Sequence, residues 1–244
     1  MEWSYGVTTV PERFETTLPR TLVSLRMAGF PEPRLFVDGG LEPLVYHERF
    51  GLPATCRHPK VHIFGSFVLA LWELHLRHPE AERFAVFQDD FVTYRNLRDY
   101  LESCEYPETG YWNLYTFPKN QKLAATRLQG ETGWYPSNQL GKGAVALVFS
   151  REAVATLLGS RHIAVRPSDL DTHRKRKRAK KFVDGAIVEA MRQAGWTEYV
   201  HSPSLVQHTG EVSVAGNGKH ALAPSWRGED FDARRLICEA HVPT

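Results

Sequence analysis

Two adjacent carboxylates directly follow a short apolar run, and this arrangement is the clearest indication of chemistry in the sequence. Residues 84–87 are all apolar, and Gln88 separates them from Asp89 and Asp90. In an open α/β sheet, ligands collect at the carboxyl ends of the strands, where these acids would lie. Carboxylate oxygens suit hard cations such as Mg²⁺ or Mn²⁺, which also bind diphosphates. The pattern therefore predicts a metal site, and a surface turn that merely begins with two Asp residues is the alternative.

Two residues further along the chain would complete such a site. His208 follows an apolar stretch, and imidazole suits Mn²⁺ better than Mg²⁺. Asp184 stands at the start of a predicted helix, where the ordinary role is an N-cap that accepts backbone N–H groups. Its chemical role would be that of a general base, which takes the proton from an attacking hydroxyl group.

Apolar periodicity predicts the elements that must position these residues. Strands are predicted at 3–9, 34–37, 84–87, 111–117, 144–149 and 198–200. Helices are predicted over 18–25, from Ser66, from Asn96 to Cys104, after Ser150 and over 184–194. Strands that alternate with helices indicate an α/β fold, in which helices cover both faces of a largely parallel sheet. No repeat or linker divides the sequence, so residues 1–244 are predicted to form a single domain.

The composition excludes several classes of protein. Hydrophobic residues make up 42% and charged residues 24% of the chain, as in folded globular domains. No apolar run approaches the length of roughly 18 residues that a membrane-spanning helix needs, and the first residues lack the order of a signal peptide. The three cysteines form no Cys-x-x-Cys pair, which argues against a disulfide framework or a thiolate metal site. We therefore expect a cytoplasmic protein without membrane insertion.

The basic residues are unevenly distributed. Seven of the 30 lie in one short segment that ends three residues before Asp184, and the remainder of the chain is net acidic. These seven are Arg174, Lys175, Arg176, Lys177, Arg178, Lys180 and Lys181. A run of like charge is ordinarily a solvated face. Its concentration beside a candidate catalytic residue instead favours a polyanionic partner, of which phosphate backbones are the commonest.

Taken in order, these features resemble the GT-A fold, DxD-type, metal-dependent glycosyltransferases. The resemblance rests on Thr8-Thr9 and Arg13, on Gln88-Asp89-Asp90 as a version of the DxD motif, on residues 143–149, on Asp184, and on residues 203–208 followed by Gly210. It spans nearly the whole chain and implies a Rossmann-like GT-A fold. Residues 1–92 would mainly bind the nucleotide sugar, and residues 93–244 would mainly complete the acceptor side and the metal and catalytic centre.

The resemblance also implies a role for each residue. Asp90 and His208 would bind the divalent cation, Mn²⁺ or Mg²⁺, and Asp184 would be the base of an inverting, single-displacement reaction. The nucleotide sugar, with UDP as the commonest carrier in the family, would contact Thr8, Thr9, Arg13, Asp38, Gln88 and Asp89. Gln88 replaces the first acid of the usual motif, which leaves fewer negative groups near the ion. Lys219 or His220, in the Gly-rich tail, would add a positive contact.

Parts of the chain are also similar to phage-type glycosyltransferases that modify hydroxymethylated pyrimidines in DNA. Such an acceptor fits the basic segment and would place the protein in a bacterial host cytoplasm. A base in a duplex must be flipped out to reach Asp184, and Trp134, Tyr135 and Trp226, in segments predicted to be loops, would stack on it. The alternatives are a transferase that acts on cell-surface or lipid-linked glycans, a non-catalytic nucleic-acid-binding protein on the same fold, and a metal-dependent nuclease.

Overall fold

A computed structural model of the protein describes residues 1–40, 42–129, 131–165, 183–209 and 221–239. The strands in these residues are β1 (Trp3–Thr9), β2 (Arg34–Asp38), β3 (Ala54–Arg57), β4 (Arg83–Gln88), β5 (Phe91–Thr93), β6 (Gly110–Asn113), β7 (Gly133–Pro136), β8 (Ala146–Ser150), β9 (Thr197–Ser202) and β10 (Val206–His208). The helices are α1 (Thr17–Met27), α2 (Pro43–Phe50), α3 (His62–Arg77), α4 (Leu97–Ser103), α5 (Pro118–Arg127), α6 (Arg151–Gly159), α7 (Arg161–Ala164), α8 (Val183–Gln193) and α9 (Arg235–Glu239).

Eight of the strands form one sheet in the order β3-β2-β1-β4-β8-β6-β9-β7. Neighbours among β3, β2, β1 and β4 are parallel, and we call these four strands the parallel half. Strand β8 runs antiparallel to both β4 and β6, β9 is parallel to β6, and β7 lies antiparallel at the edge. We call β8, β6, β9 and β7 the mixed half. The predicted α/β fold with a mixed, largely parallel sheet is confirmed.

Helices cover both faces of this sheet, and β4 shows how. Phe84 and Val86 point to one face, where they belong to the core formed with α3, α6 and α8. Ala85 and Phe87 point to the other face, where the core includes residues of α1 and α4. A strand that is buried on both faces is apolar throughout rather than alternating. No helix in the described residues has both the length and the apolar composition needed to cross a bilayer.

Most of the predicted elements are present, but two boundaries were wrong. Helix α3 begins at His62 rather than at Ser66, because the Asp38 carboxylate accepts the N–H of Val61 at 2.7 Å and fixes the chain just before the helix. Strand β6 ends at Asn113 rather than at residue 117. The Asn113 side chain accepts the N–H of Tyr115 at 3.1 Å and diverts the chain from the ladder.

Candidate active site

The carboxylate pair lies at the carboxyl end of β4, in the short connection to β5. Asp89 and Asp90 are almost completely buried, at 3% and 2% exposure. Strand β1 is the parallel neighbour of β4, with Thr8 opposite Gln88, so β1 ends at the same edge of the sheet. The next strand, β2, ends there too, with Asp38 as its last residue. The residues of the parallel half that are predicted to contact the sugar donor are therefore gathered at the carboxyl ends of β1, β2 and β4.

Two residues after β1 hold the carboxylate pair. The Thr9 hydroxyl donates to Asp89 Oδ2 at 2.5 Å. One guanidinium nitrogen of Arg13, Nη1, forms ion pairs with both acids, to Oδ1 of Asp89 and, at 2.8 Å, to Oδ2 of Asp90. Arg13 lies at the end of a short 3-10 turn, Pro11–Arg13, directly after β1. The structure thus places Thr9 and Arg13 in direct contact with the two carboxylates.

The charges of this cluster depend on one another. Burial raises the pKa of Asp89 to about 6, although Arg13 acts to lower it. Burial disfavours the charged form of Arg13, but Asp89 and Asp90 more than offset this, and the pKa of Arg13 is raised. A buried carboxylate needs a paired cation to stay ionised. Arg13 provides that charge here.

His208 reaches Asp90 through a second, two-stranded sheet. Strand β10 pairs antiparallel with β5, which sets His208 opposite Phe91, the residue after Asp90. The N–H of Thr209 donates to the Asp90 carbonyl at 2.8 Å, and His208 Nδ1 lies 3.7 Å from Asp90 Oδ1. Strand β5 is in turn held on α1, because the Thr21 hydroxyl donates to the Phe91 carbonyl at 2.9 Å. Residues remote in sequence are thereby brought side by side.

The Asp90–His208 separation fits a shared divalent ion. Ligand atoms lie about 2.1 Å from such an ion, so two ligands of one ion are at most about 4.2 Å apart. The observed 3.7 Å between Asp90 Oδ1 and His208 Nδ1 is within this limit. Within the ranges that the structure describes, no three His, Cys, Asp or Glu side chains form a metal cluster. One carboxylate and one imidazole suffice for an ion that takes its other ligands from substrate phosphates and water.

Gln88 connects the acids to the loop before β8. Its backbone N–H donates to the Val145 carbonyl at 2.8 Å, and its side-chain amide donates to the Ala144 carbonyl at 2.9 Å. Gln88 is predicted to contact the nucleotide sugar. The structure instead gives its amide nitrogen a protein partner and leaves the contact with the donor as a prediction.

Asp184 lies in the first turn of α8 and is bound to the same loop. Its Oδ2 accepts the N–H of Gly143 at 2.8 Å, so the acid holds residues outside its own helix. Burial raises its pKa, against the effect of the N–H donors. A Cβ on Gly141 would lie 2.5 Å from the Asp184 carbonyl oxygen, and the φ of Gly141 is +64°. Glycine is thus required for the loop to pack against the start of α8.

Thr8 and Asp38 also have protein partners. The Thr8 hydroxyl donates to the Phe87 carbonyl at 3.2 Å, which ties β1 to β4 just before the acids. Asp38 accepts the N–H of Val61, as described above, and is 4% exposed. Both residues lie near the carboxyl ends of their strands, as predicted, and their contacts to a nucleotide stay predictions.

Of the three aromatic residues predicted to stack on a flipped base, Trp226 lies in a loop as predicted, whereas the other two do not. Trp134 and Tyr135 lie in strand β7 and not in a loop. Trp134 stacks on Trp112, with ring centroids 4.5 Å apart and planes 9° apart. Trp226 stacks on Tyr94 at 4.3 Å. The loop placement of Trp134 and Tyr135 was wrong, because edge strand β7 pairs with β9, and packing already covers one ring face each of Trp134 and Trp226.

Several predicted residues lie outside the described residues. They are Lys219, His220 and the seven basic residues Arg174, Lys175, Arg176, Lys177, Arg178, Lys180 and Lys181. Their roles stay predictions from the sequence.

Three residues that the sequence did not single out, Asn113, Tyr115 and Glu198, lie at or next to the loop that Asp184 holds. Asn113 is fully buried, and its amide donates to the Lys142 carbonyl at 3.3 Å and to Glu198 Oε1 at 3.2 Å. Tyr115 packs against Gly143 and lies edge-on to His208, with ring centroids 6.0 Å apart. The one signal in the sequence was Asn113, a polar residue within the apolar run 111–115.

Comparison with known proteins gives a likeness of structure but not of sequence. No protein-family model and no curated protein matches the chain. The structure is similar to that of GalNAc-T7 with UDP, GalNAc and Mn²⁺, with a TM-score of 0.57 at 12% identity. The likeness covers 96% of this chain and 47% of that one, so the chain spans about half of its length.

Two further solved structures share lower similarity. Mannose-1-phosphate geranyltransferase from Thermus thermophilus gives a TM-score of 0.47 at 16% identity, over 82% of this chain and 74% of that one. HddC from Yersinia pseudotuberculosis complexed with GMP-PN gives 0.42 at 12% identity, over 78% and 97%.

The likeness to GalNAc-T7, at 12% identity, concerns the fold alone. The chain therefore adopts the GT-A fold, a Rossmann-like α/β fold.

Proposed function

We propose that the protein is a metal-dependent glycosyltransferase that moves a sugar from a nucleotide sugar, with UDP as the nucleotide, to a hydroxyl group of an acceptor. The observation that carries the proposal is the Asp90–His208 pair, with Asp90 Oδ1 and His208 Nδ1 3.7 Å apart at the carboxyl end of β4 in a GT-A fold. The related GalNAc-T7 structure contains UDP and Mn²⁺, and this supports a divalent ion and UDP here.

On the donor side, the chain would hold a divalent ion and supply the groups that orient the nucleotide sugar. Asp90 and His208 would hold an ion that neutralises the charge developing on the diphosphate as its bond to the sugar breaks. Thr8, Thr9 and Asp38, at the neighbouring strand ends, would position the nucleoside. Asp89 would contact the ribose or the donor sugar. Orientation of this kind lowers the barrier because the reacting atoms are held in line.

On the acceptor side, Asp184 would act as the base. Its carboxylate takes the proton of the acceptor hydroxyl, while the acceptor oxygen forms a bond to the anomeric carbon of the sugar. The bond from that carbon to the diphosphate breaks, and its electron pair leaves on the phosphate oxygen. Attack and departure on opposite sides invert the anomeric carbon. The raised pKa of Asp184 makes it a stronger base than an ordinary carboxylate.

For the acceptor, we propose hydroxymethylated pyrimidines in DNA. The support is the segment of seven basic residues within 174–181, which precedes Asp184 in the sequence. Clustered Lys and Arg residues bind phosphate backbones largely through release of counterions. An acceptor with a phosphate backbone therefore fits the sequence better than a neutral glycan does.

A transfer assay tests the reaction and the acceptor together. The protein is incubated with a panel of nucleotide sugars, Mn²⁺ and DNA with or without hydroxymethylcytosine or hydroxymethyluracil, and the digested nucleosides are measured by mass spectrometry. We expect a hexose-sized gain on the hydroxymethylated DNA alone, which is lost in Asp90→Asn. The control is Asp230→Asn, the same chemical change at a side chain that is 94% exposed.

The other outcomes separate the alternatives. Metal-dependent hydrolysis of a donor without a gain on DNA would remove the DNA acceptor and favour a glycan. Cleavage of DNA would favour the nuclease. Absence of all three activities with every donor would contradict the enzyme itself and favour a binding protein.

The basic segment is tested by replacing its seven basic residues with Ser or Gln. We expect weaker DNA binding and a flatter dependence on salt, because each phosphate contact adds about one unit to the salt slope. The affinity would be measured by fluorescence anisotropy at several salt concentrations. Unchanged binding at low salt would contradict the DNA acceptor.

A further inference from the structure

We propose that Arg13 occupies the cation position of the Asp89–Asp90 pair when no metal is bound, and that a divalent ion enters by displacing this guanidinium toward the donor diphosphate. The inference rests on the proposed metal-dependent transfer and assigns Arg13 a second role within it. Arg13 is then a displaceable internal counterion that makes metal binding depend on the donor.

The first argument is geometric. A single nitrogen, Nη1, contacts Oδ1 of Asp89 and Oδ2 of Asp90. This is the arrangement of a cation shared by two carboxylates. The two remaining oxygens are directed elsewhere, since Asp89 Oδ2 accepts from Thr9 at 2.5 Å and Asp90 Oδ1 faces His208 at 3.7 Å. An ion bound between Asp90 and His208 would therefore lie next to the guanidinium, and two cations so close repel each other strongly in a buried site.

The second argument concerns which partner moves. The Arg13 side chain is 14% exposed, whereas the side chains of Asp89 and Asp90 are 4% and 2% exposed. The acids follow directly from β4, and Asp90 is also bound through its carbonyl to Thr209. Arg13 instead reaches the acids on a long side chain from the turn after β1. The guanidinium is thus the part of this cluster that can move without disturbing a strand.

The third argument concerns where the guanidinium goes. Its planar fork of N–H donors suits phosphate oxygens as well as carboxylates. A diphosphate bound to the ion would lie beside Arg13 and give it a new partner. When the ion binds alone, the Arg13–Asp90 ion pair is lost and nothing replaces it. When the ion binds with UDP, Arg13 gains an ion pair with the phosphate in its place. Mn²⁺ and UDP should therefore strengthen the binding of one another, by the same factor in both directions.

Electron paramagnetic resonance of free Mn²⁺ tests this without any turnover. The full chain is titrated with Mn²⁺ in the absence and presence of UDP, for the wild type and for Arg13→Met, which keeps the length of the side chain but removes the charge. We expect Arg13→Met to bind Mn²⁺ alone at least about tenfold more tightly, and the enhancement of Mn²⁺ binding by UDP to fall at least about fivefold. The matched control is Arg20→Met, which removes an equal charge from an exposed side chain that pairs with Glu229.

Two further variants keep the test decisive. Arg13→Met leaves two buried carboxylates side by side, so the comparison is repeated with Asp89→Asn as the parent and Arg13→Met/Asp89→Asn as the variant. The double variant should again bind Mn²⁺ more tightly than its parent. Equal Mn²⁺ affinity within both pairs overturns the inference while the proposed metal site stands. If Asp90→Asn in the Arg13→Met chain leaves Mn²⁺ affinity unchanged, the ion is not held by Asp90, and both the inference and the proposed metal site fail.

Discussion

The parallel half and the mixed half of the sheet stabilise their buried polar groups in different ways. At the end of the parallel half, Asp89 and Asp90 share an ion pair with the full charge of Arg13. Within the mixed half, Glu198 and His201 are equally buried but have neutral partners. The difference is that the acids at the strand ends contact a group of opposite charge, whereas burial inside the mixed half favours the uncharged forms of Glu198 and His201.

The neutral partners of the mixed half are specific. Glu198 Oε1 accepts from the Asn113 amide at 3.2 Å, and burial raises the pKa of Glu198 to about 7. His201 Nδ1 lies 2.6 Å from the Pro203 carbonyl, to which it must donate, so Nε2 accepts from the Tyr100 hydroxyl at 2.6 Å. Burial lowers the pKa of His201 to about 4. The hydrogen bonds with Asn113 and Pro203 act against these two pKa shifts, so burial is what favours the uncharged form of each group.

The largest expected effect is a loss of kcat that leaves metal binding at the end of the parallel half unchanged. Asp184→Asn removes the proposed base, which is bound to the loop before β8, and leaves the cluster around Asp90 in place. We expect kcat to fall by about 10²- to 10⁴-fold, as for loss of a general base, while Mn²⁺ affinity stays as in the wild type. Steady-state kinetics and a Mn²⁺ titration measure the two quantities. A parallel loss of Mn²⁺ affinity would show that the halves do not act separately.

The second prediction tests the neutral character of the mixed half. Glu198 binds its proton more tightly in the folded chain than in the unfolded chain, where its pKa is near 4.5. This linkage stabilises the fold fully below pH 4.5, and the contribution is lost as the pH rises through 7. Glu198→Gln, which resembles the protonated acid, should therefore equal the wild type near pH 4. It should exceed the wild type in free energy of unfolding by roughly 3 kcal/mol above pH 7.

Urea unfolding from pH 4 to pH 8 measures this difference, with Glu80→Gln as the control at an exposed side chain. His201 has the opposite sign, because its contribution is present above pH 6.5 and is lost as the pH falls toward 4. His201, Asp89 and Asp184 contribute the same pH dependence to the wild type and to Glu198→Gln, so the difference in stability between the two chains isolates Glu198. That difference should be near zero at pH 4 and grow as the pH rises through 7. A wild-type pH dependence in this variant would mean that Glu198 is charged in the folded chain.

The smallest expected effect concerns the support of His208. Thr21→Val keeps the shape of the side chain but removes the hydroxyl that holds β5 on α1. We expect a loss of about 1–2 kcal/mol in the free energy of unfolding, since buried backbone groups of Phe91 lose a partner. Mn²⁺ affinity should fall a few-fold, because β5 carries β10 and His208. Thr126→Val, at an exposed helical site, is the control. Unchanged stability would show that β5 does not depend on α1.

In each half of the sheet, the sequence predicted three of the four strands. In the parallel half, the buried strands β2 and β4 appear as continuous apolar runs and the acids follow β4 directly, so the position of Asp89 and Asp90 was predictable. The half-buried edge strand β3 was not predicted. In the mixed half, Trp134 and Tyr135 are predicted to lie in a loop but lie in β7, which begins at Gly133 and ends at Pro136. Proline ends ordinary strands but is tolerated in an edge strand such as β7.

Interactions between distant residues account for what the sequence did not predict. Nothing local in the sequence shows that Asn113 joins Glu198 to the loop at Lys142, since this depends on the pairing of β6 with β9. Likewise, the contact of Arg13 with both acids depends on the turn after β1 lying over the end of β4. The resemblance identified Arg13, Asp89 and Asp90 as site residues, but only the structure shows which groups they contact.

The pairing of β10 with β5 has a consequence for the order in which the protein is made. During synthesis, β4 and the acids emerge from the ribosome long before His208, which comes near the end of the described chain. A nascent chain therefore contains the carboxylates and Arg13 without the histidine. Arg13 is available from the start to pair with these acids, so the unfinished chain need not leave both of them without a cation. The Asp90–His208 pair then forms only once β10 has been made.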